Sequence, residues 1–155
     1  MSVSLTIEPM KKAHLEKVSE IENAVSPHPW TINQFAESLT KQHCYVLSIN
    51  NQVSGFLIFS LVARESELFN IAVASTQQGF GYGRKLLKFY LAKIAGHASR
   101  ALLEVRSDND VARELYDKSG YIITGRRKGY YRIAGMPVDA LLMSLDLESN
   151  KVGHV

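Results

Sequence analysis

Apolar positions along the chain change period several times, and each change marks an element. Alternation over Ser4 to Glu8 predicts a short strand. From Lys11 to Ala24, Leu15, Val18 and Ile21 recur at helical spacing, and Val25 continues the stripe. The segment Ser26-Pro-His-Pro-Trp30 breaks that pattern, because each proline bars the residue before it from helix. Thr31, with Gln34 three residues on, reads as a capping box opening a second short helix. Three apolar runs then predict a meander: residues 44–49, a turn at Asn50-Asn51, residues 53–63, and residues 67–73. Beyond a glycine-rich loop, Leu86, Leu87, Tyr90, Leu91 and Ile94 form the stripe of a helix over 84–97. A strand over 101–106 follows, then a helix over 109–119 that Gly120 ends in a left-handed cap. Two strands, 121–133 and 138–147, complete the series.

The order β-α-α-β-β-β-α-β-α-β-β predicts an α/β (α+β) fold, a mixed sheet with helices packed on its faces. A chain of 155 residues suits one domain, taken as 1–147, with 148–155 as a flexible tail. Composition changes this picture little. The hydrophobic share of 46% and charged share of 21% are those of an ordinary globular chain. The start, MSVSLTIEP, lacks the basic-then-apolar order of a signal peptide, and the longest apolar stretch, Gly55 to Ala63, is too short to cross a bilayer. Cys44 is the one cysteine, which excludes an internal disulfide framework and fits a reducing cytoplasm. His14, His43, His97 and His154 are scattered without ligand spacing, so no metal site is expected.

The chemistry concentrates in Asn70-Ile-Ala-Val-Ala-Ser-Thr-Gln-Gln-Gly-Phe-Gly-Tyr-Gly-Arg-Lys-Leu-Leu87. A strand leads through Gly79, Gly81 and Gly83 into a helix, so successive backbone N–H groups can turn inward at a positive helix end. Arg84 and Lys85 stand at that end, where cations oppose the helix dipole unless an anion is bound. Although a tight strand-to-helix connection would also use glycines, together these features read as a pyrophosphate cradle. It is not a P-loop, since Gly83 is followed by Arg84 and Lys85 with no Ser or Thr for magnesium. Nor does it fit a dinucleotide fingerprint, because Leu86 stands where the last glycine belongs and a meander precedes it. A second conspicuous residue is Glu104, a carboxylate between Leu103 and Val105 in a strand expected to be largely buried. It reads either as a proton carrier or as a sheet-face partner of Arg106, two residues on and on the same side.

Two ordered signatures resemble the GNAT superfamily of N-acetyltransferases. Gln78-Gly-Phe-Gly-Tyr-Gly83 matches its Gln/Arg-x-x-Gly-x-Gly/Ala pattern, and Asn109-Asp-Val-Ala-Arg-Glu-Leu-Tyr-Asp-Lys-Ser-Gly-Tyr121 matches Asn-x-x-Ala-x-x-Leu-Tyr-x-x-x-Gly-Phe/Tyr. The element order is similar over nearly the whole chain. His28-Pro29-Trp30, Leu68 to Val73, Leu103 to Arg106 and Arg126 to Tyr131, leading to Asp139-Ala140, resemble the branch that acetylates the N-terminal alanine of a ribosomal protein, the eighteenth of the small subunit. Ser75 and Gly79 depart from the family, which often has a proline and a basic residue there.

The resemblance implies a mostly antiparallel sheet of about seven strands with about four helices, splayed between the fourth and fifth strands. It implies acetyl-CoA as co-substrate, with Ile71, Ala72 and Val73 offering backbone groups to the pantetheine arm and the thioester. Gly79, Phe80, Gly81, Tyr82, Gly83 and Arg84 would hold the pyrophosphate, and Asn109 would contact the pantetheine. Glu104 would be the general base and Tyr116 the general acid. His28, Trp30, Tyr130 and Tyr131 would line the site of the peptide amine. Tyr116, Trp30 and the tandem tyrosines read equally as packing residues from the pattern alone. No base-activated nucleophile motif surrounds Cys44, so direct transfer in a ternary complex is expected rather than an acyl-enzyme. A transferase acting on lysine or small amines, or a CoA-binding regulatory module, would share these signatures. Arg126, Arg127 and Lys128 read first as a solvated hairpin, with contact to RNA or to the CoA 3′-phosphate as the other readings; no direct nucleic-acid or membrane partner is expected.

Overall fold

The computed structural model describes residues 2–148, so the tail expected over 148–155 lies, from residue 149 on, outside them. Strand β1 (Leu5–Pro9) is followed by a 3-10 turn at Lys12–His14 and helix α1 (Leu15–Val25). Helix α2 (Ile32–Lys41), the strands β2 (His43–Ile49), β3 (Gln52–Val62) and β4 (Glu65–Val73), a 3-10 turn at Ser75–Gln77, and α3 (Tyr82–Ile94) come next. The last described elements are β5 (Arg100–Arg106), α4 (Asp110–Lys118), β6 (Ile122–Ile133) and β7 (Met136–Asp146). The seven strands form one mixed sheet in the order β1-β2-β3-β4-β5-β7-β6. Only the β4–β5 ladder among those resolved in register is parallel, as expected for strands joined through a helix. It runs from Glu65↔Arg100 to Leu68↔Leu103 and stops, while β4 continues to Val73 and β5 to Arg106.

The local signals explain the element ends. Thr31 and Gln34 form the capping box in full: Gln34 N–H donates to the threonine hydroxyl at 3.2 Å, and Thr31 N–H to the glutamine oxygen at 2.7 Å. Gly120, at φ +101°, takes the left-handed conformation at the end of α4. Helix α3 stops at Ile94, the last residue of its apolar stripe and short of the limit expected at 97, and Gly96 turns left-handed at φ +80° just beyond.

The chain divides into two compact units. The first combines the chain up to Ser60 with Phe69–Lys93, and the second combines Leu61–Leu68 with the chain from Ile94 on. In the first, Met10, Leu15, Val18, Ile21, Phe35, Val46, Phe56 and Ile58 pack into one cluster, with Trp30 and Ala72 against it. Phe56 to Phe59 are buried without interruption, which marks a strand covered on both faces. The other face carries Tyr45, Phe59, Phe89 and Tyr90, whose rings meet edge to face or stacked at 4.8–6.1 Å. In the second unit β5 alternates, with Ala101, Leu103 and Val105 buried and Leu102, Glu104 and Arg106 on the opposite face.

Candidate active site

In the first unit, β4 ends at Val73, whose carbonyl accepts a hydrogen bond from Gln78 Nε2 at 3.0 Å. That bond folds the loop back so that the glycine segment begins beside the strand end. Gly79 and Gly81 both adopt φ near +85°, a conformation that L-residues with a Cβ rarely take. The ladder of α3 starts with Lys85 N–H donating to Gly81 C=O at 3.1 Å. The preceding amides, at Tyr82, Gly83 and Arg84, are the first-turn donors that no helix can satisfy internally. Arg84 and Lys85 are exposed beside them, and Phe80 is 69% exposed. Donors, helix dipole and two cations thus converge on one loop, which fits a bound pyrophosphate.

The same unit holds His28 and Trp30. His28 is exposed, and its N–H donates to Ser26 Oγ at 3.2 Å. Trp30 is half-buried, with its ring 5.2 Å from that of Phe35. Its backbone N–H donates to Glu22 Oε2 at 3.0 Å, and the same oxygen accepts from Asn70 Nδ2 at 3.1 Å. Pattern reading passed over Glu22 and Asn70. The signal was present, because Glu22 lies four residues after Val18 and three before Val25, within the buried stripe of α1.

In the second unit Glu104 is half-buried and engaged on both carboxyl oxygens. The Tyr131 hydroxyl donates to Oε1 at 2.9 Å, and Arg127 Nε lies 3.7 Å from Oε2. Arg106, the same-side partner suggested by spacing, instead binds Asp108 through Nε at 2.9 Å. The cation beside Glu104 therefore comes from β6. A bulge makes this possible: β6 takes four steps from Arg127 to Tyr131 where β7 takes two from Ala140 to Val138. Asp139 pins the bulge, accepting from Arg126 Nη1 at 2.7 Å and from Gly129 N–H at 2.8 Å. Those two bonds hold the Asp139 carboxyl below the usual carboxylate range, the Gly129 bond most strongly. Gly129 itself stands at φ +59°.

Burial and then the Glu104 carboxylate push the Tyr131 hydroxyl well above its ordinary value, so it is a donor at any physiological pH. Glu67, on the strand parallel to β5, is raised by burial and then by Glu104, against the opposing effect of Arg127. Glu67 was not foreseen, because its relation to Glu104 depends on the parallel register that pairs it with Leu102. Tyr130 is 54% exposed, with its ring 5.1 Å from Tyr131 and the Arg127 guanidinium 5.4 Å away. On α4, Tyr116 is 6% exposed and its ring lies 5.7 Å from Tyr121. Asn109 caps the same helix, its side-chain oxygen accepting from Ala112 N–H at 3.2 Å. No group of three or more His, Cys, Asp or Glu suited to a metal occurs among the described residues, and no described helix is long and apolar enough to cross a membrane.

The sequence profile of the acetyltransferase (GNAT) family matches residues 14–121, well over half of the chain. This chain belongs to the GNAT acetyltransferase family. Its members are acyltransferases, and the seven-stranded sheet with four helices described above is the GNAT fold. The chain is 35% identical over 127 residues to the [ribosomal protein bS18]-alanine N-acetyltransferase of Haemophilus influenzae, covering 81% of this chain and 86% of that one. It is 32% identical over 150 residues to the N-alpha-acetyltransferase RimI of Mycobacterium tuberculosis, covering 92% of each. The crystal structure of the ribosomal-protein-S18-alanine N-acetyltransferase from Escherichia coli superposes with a TM-score of 0.88 at 29% identity, covering 93% of this GNAT chain and 94% of that one. The resemblance seen in the two sequence signatures is thus borne out at the level of family and of fold.

Proposed function

We propose that this GNAT enzyme is an acetyl-CoA-dependent N-α-acetyltransferase of the cytoplasm, acting on the N-terminal alanine of a ribosomal protein, the eighteenth of the small subunit. The observation that carries the reading is Glu104, a half-buried carboxylate held by the Tyr131 hydroxyl at 2.9 Å and faced by Arg127 at 3.7 Å. Likeness to the bS18-alanine enzymes supports the choice of substrate.

Bound acetyl-CoA would supply the activated acetyl thioester. The amides of Gly79 to Arg84 receive the pyrophosphate, and Arg84 neutralises part of its charge. Ile71, Ala72 and Val73 offer backbone groups to the pantetheine arm, and Asn109 donates to it through its side-chain amide. A backbone N–H at Val73 stabilises charge developing on the acyl oxygen. Glu104 removes a proton from the substrate ammonium, through water. An α-amine has a pKa of only about 8, so a carboxylate base suffices near neutral pH. The Tyr116 hydroxyl gives a proton to the leaving sulfur. His28, Trp30, Tyr130 and Tyr131 orient the peptide, which converts a bimolecular encounter into attack within one complex.

The test is release of CoA thiol from acetyl-CoA with a peptide that begins with alanine followed by basic and aromatic residues. Release that depends on both peptide and enzyme is expected. Binding of acetyl-CoA without release, with the peptide, lysine and small amines alike, would leave a CoA-binding regulatory module.

A further inference from the structure

Among the described residues Glu22 is the one acidic side chain that is buried, at 3% exposure. A buried carboxyl group is tolerated where it is hydrogen-bonded, so its partners show what it is for. Oε2 accepts from the Trp30 backbone N–H at 3.0 Å and from Asn70 Nδ2 at 3.1 Å. The backbone carbonyl of Glu22 also accepts from Ser26 N–H at 2.9 Å, where α1 ends. One residue thus ties the end of a helix, the loop bearing His28 and Trp30, and the strand position just before Ile71-Ala72-Val73.

The Trp30 ring packs on Phe35, 5.2 Å away, but the backbone of the loop has few donors with which to be fixed in place. Pro27 and Pro29 carry no N–H, so Trp30 supplies one of its few backbone donors. Strand β4, by contrast, is held within the sheet. Loss of the Glu22 carboxyl would therefore release the loop first and leave the strand in place.

We propose that Glu22 is a positioning residue for acetyl transfer: it fixes the His28-Pro29-Trp30 loop on β4 so that the loop is ready for the peptide. The inference rests on the reading that this loop meets the substrate peptide. It acts through Trp30 and touches neither the acyl donor nor the reacting amine.

Trp30 is the sole tryptophan, so fluorescence excited at the red edge, where the tyrosines do not absorb, reports on this loop. In Glu22→Ala the Trp30 emission should shift to the red and become several-fold more accessible to acrylamide. The peptide KM should rise about tenfold, the size expected when a buried donor loses its acceptor. The acetyl-CoA KM should stay within twofold. Glu22→Gln keeps an oxygen acceptor in the same place and should return both the emission and the peptide KM to near wild type. Asn70→Ala removes one of the two bonds and should give an intermediate effect, which keeps the test open if Glu22→Ala does not fold. Unchanged Trp30 emission and quenching in folded Glu22→Ala would overturn the role of Glu22. So would an equal rise in both KM values that Glu22→Gln fails to rescue. Trp30 emission does not depend on which amine is the substrate. Failure of the wild-type enzyme to acetylate the peptide would therefore count against the substrate assignment and not against the loop anchor.

Discussion

Tyr131 and Arg127 approach different oxygens of Glu104, so the carboxylate is fixed in orientation rather than left to rotate in solvent. If Glu104 is the base, Glu104→Gln should lower kcat by roughly 10²–10⁴-fold and leave the acetyl-CoA affinity largely intact. Tyr131→Phe removes one hydroxyl and keeps the ring, so it should lower kcat by about 3–30-fold through loss of a charge-assisted bond. Steady-state kinetics in both substrates separate these effects. Near-normal kcat in both variants would make Glu104 a sheet-face ion pair with Arg127. Cys44 illustrates the opposite environment: buried at 8% exposure, its thiol is pushed up to about 11 by burial. A group raised in the folded state adds stability below its unfolded value, near 9, and that contribution fades as pH climbs toward 11. Native protein at pH 8 should therefore be alkylated by iodoacetamide at least about tenfold more slowly than protein in urea. Equal rates would show that the thiol is accessible. Of these residues Glu104 was visible in the sequence as a charge in an apolar strand. Its partners were not, because Arg127 and Tyr131 reach it only through a bulge pinned by Asp139 on the neighbouring strand.

Among the elements, β4 and the loop that follows it depend on two glycines for different reasons. A Cβ at Gly55 on β3 would meet the Ala72 carbonyl oxygen at 2.8 Å and a Leu86 methyl at 3.3 Å. A Cβ at Gly81 would meet nothing within 4 Å, but φ stands at +84°. Gly55→Ala should then lower Tm by roughly 3–10 °C, as overpacking against a rigid backbone does. It should also weaken acetyl-CoA binding, since Ala72 must move. Gly81→Ala should weaken binding with a smaller loss of Tm, because its cost is local backbone strain of about 1–2 kcal/mol. Calorimetric titration and thermal melts on both variants check the contrast, and equal Tm losses with unaltered binding would contradict it. Gly81 was legible because three glycines in five positions exceed what a strand-to-helix turn requires. Gly55 was not, since it sits in an unbroken apolar run and its constraint comes from a neighbouring strand. The caps were legible for the reverse reason: Thr31 with Gln34, and Gly120, act within a few residues of themselves.

For the whole molecule, periodicity alone supplied the order of elements, and nearly every strand and helix lies within three residues of its expected limits. It could not supply the strand order, in which β7 inserts between β5 and β6, because that depends on long-range pairing. The family resemblance carried the number of strands and helices and the mixed character of the sheet, but no strand order. The proposed choice of an α-amine as substrate is favoured by physical differences between amines. A lysine side chain, with a pKa near 10.4, is almost wholly protonated at neutral pH and asks more of a carboxylate base than an α-amine does. A single peptide can put the two in competition: alanine first, basic and aromatic residues after it, and one internal lysine. Incubated with enzyme and acetyl-CoA and sequenced by tandem mass spectrometry, the product should carry its acetyl group on the α-amine of alanine, with the lysine unmodified. An acetyl group on the lysine side chain with a free N-terminus would contradict N-terminal acetylation as the activity of this protein.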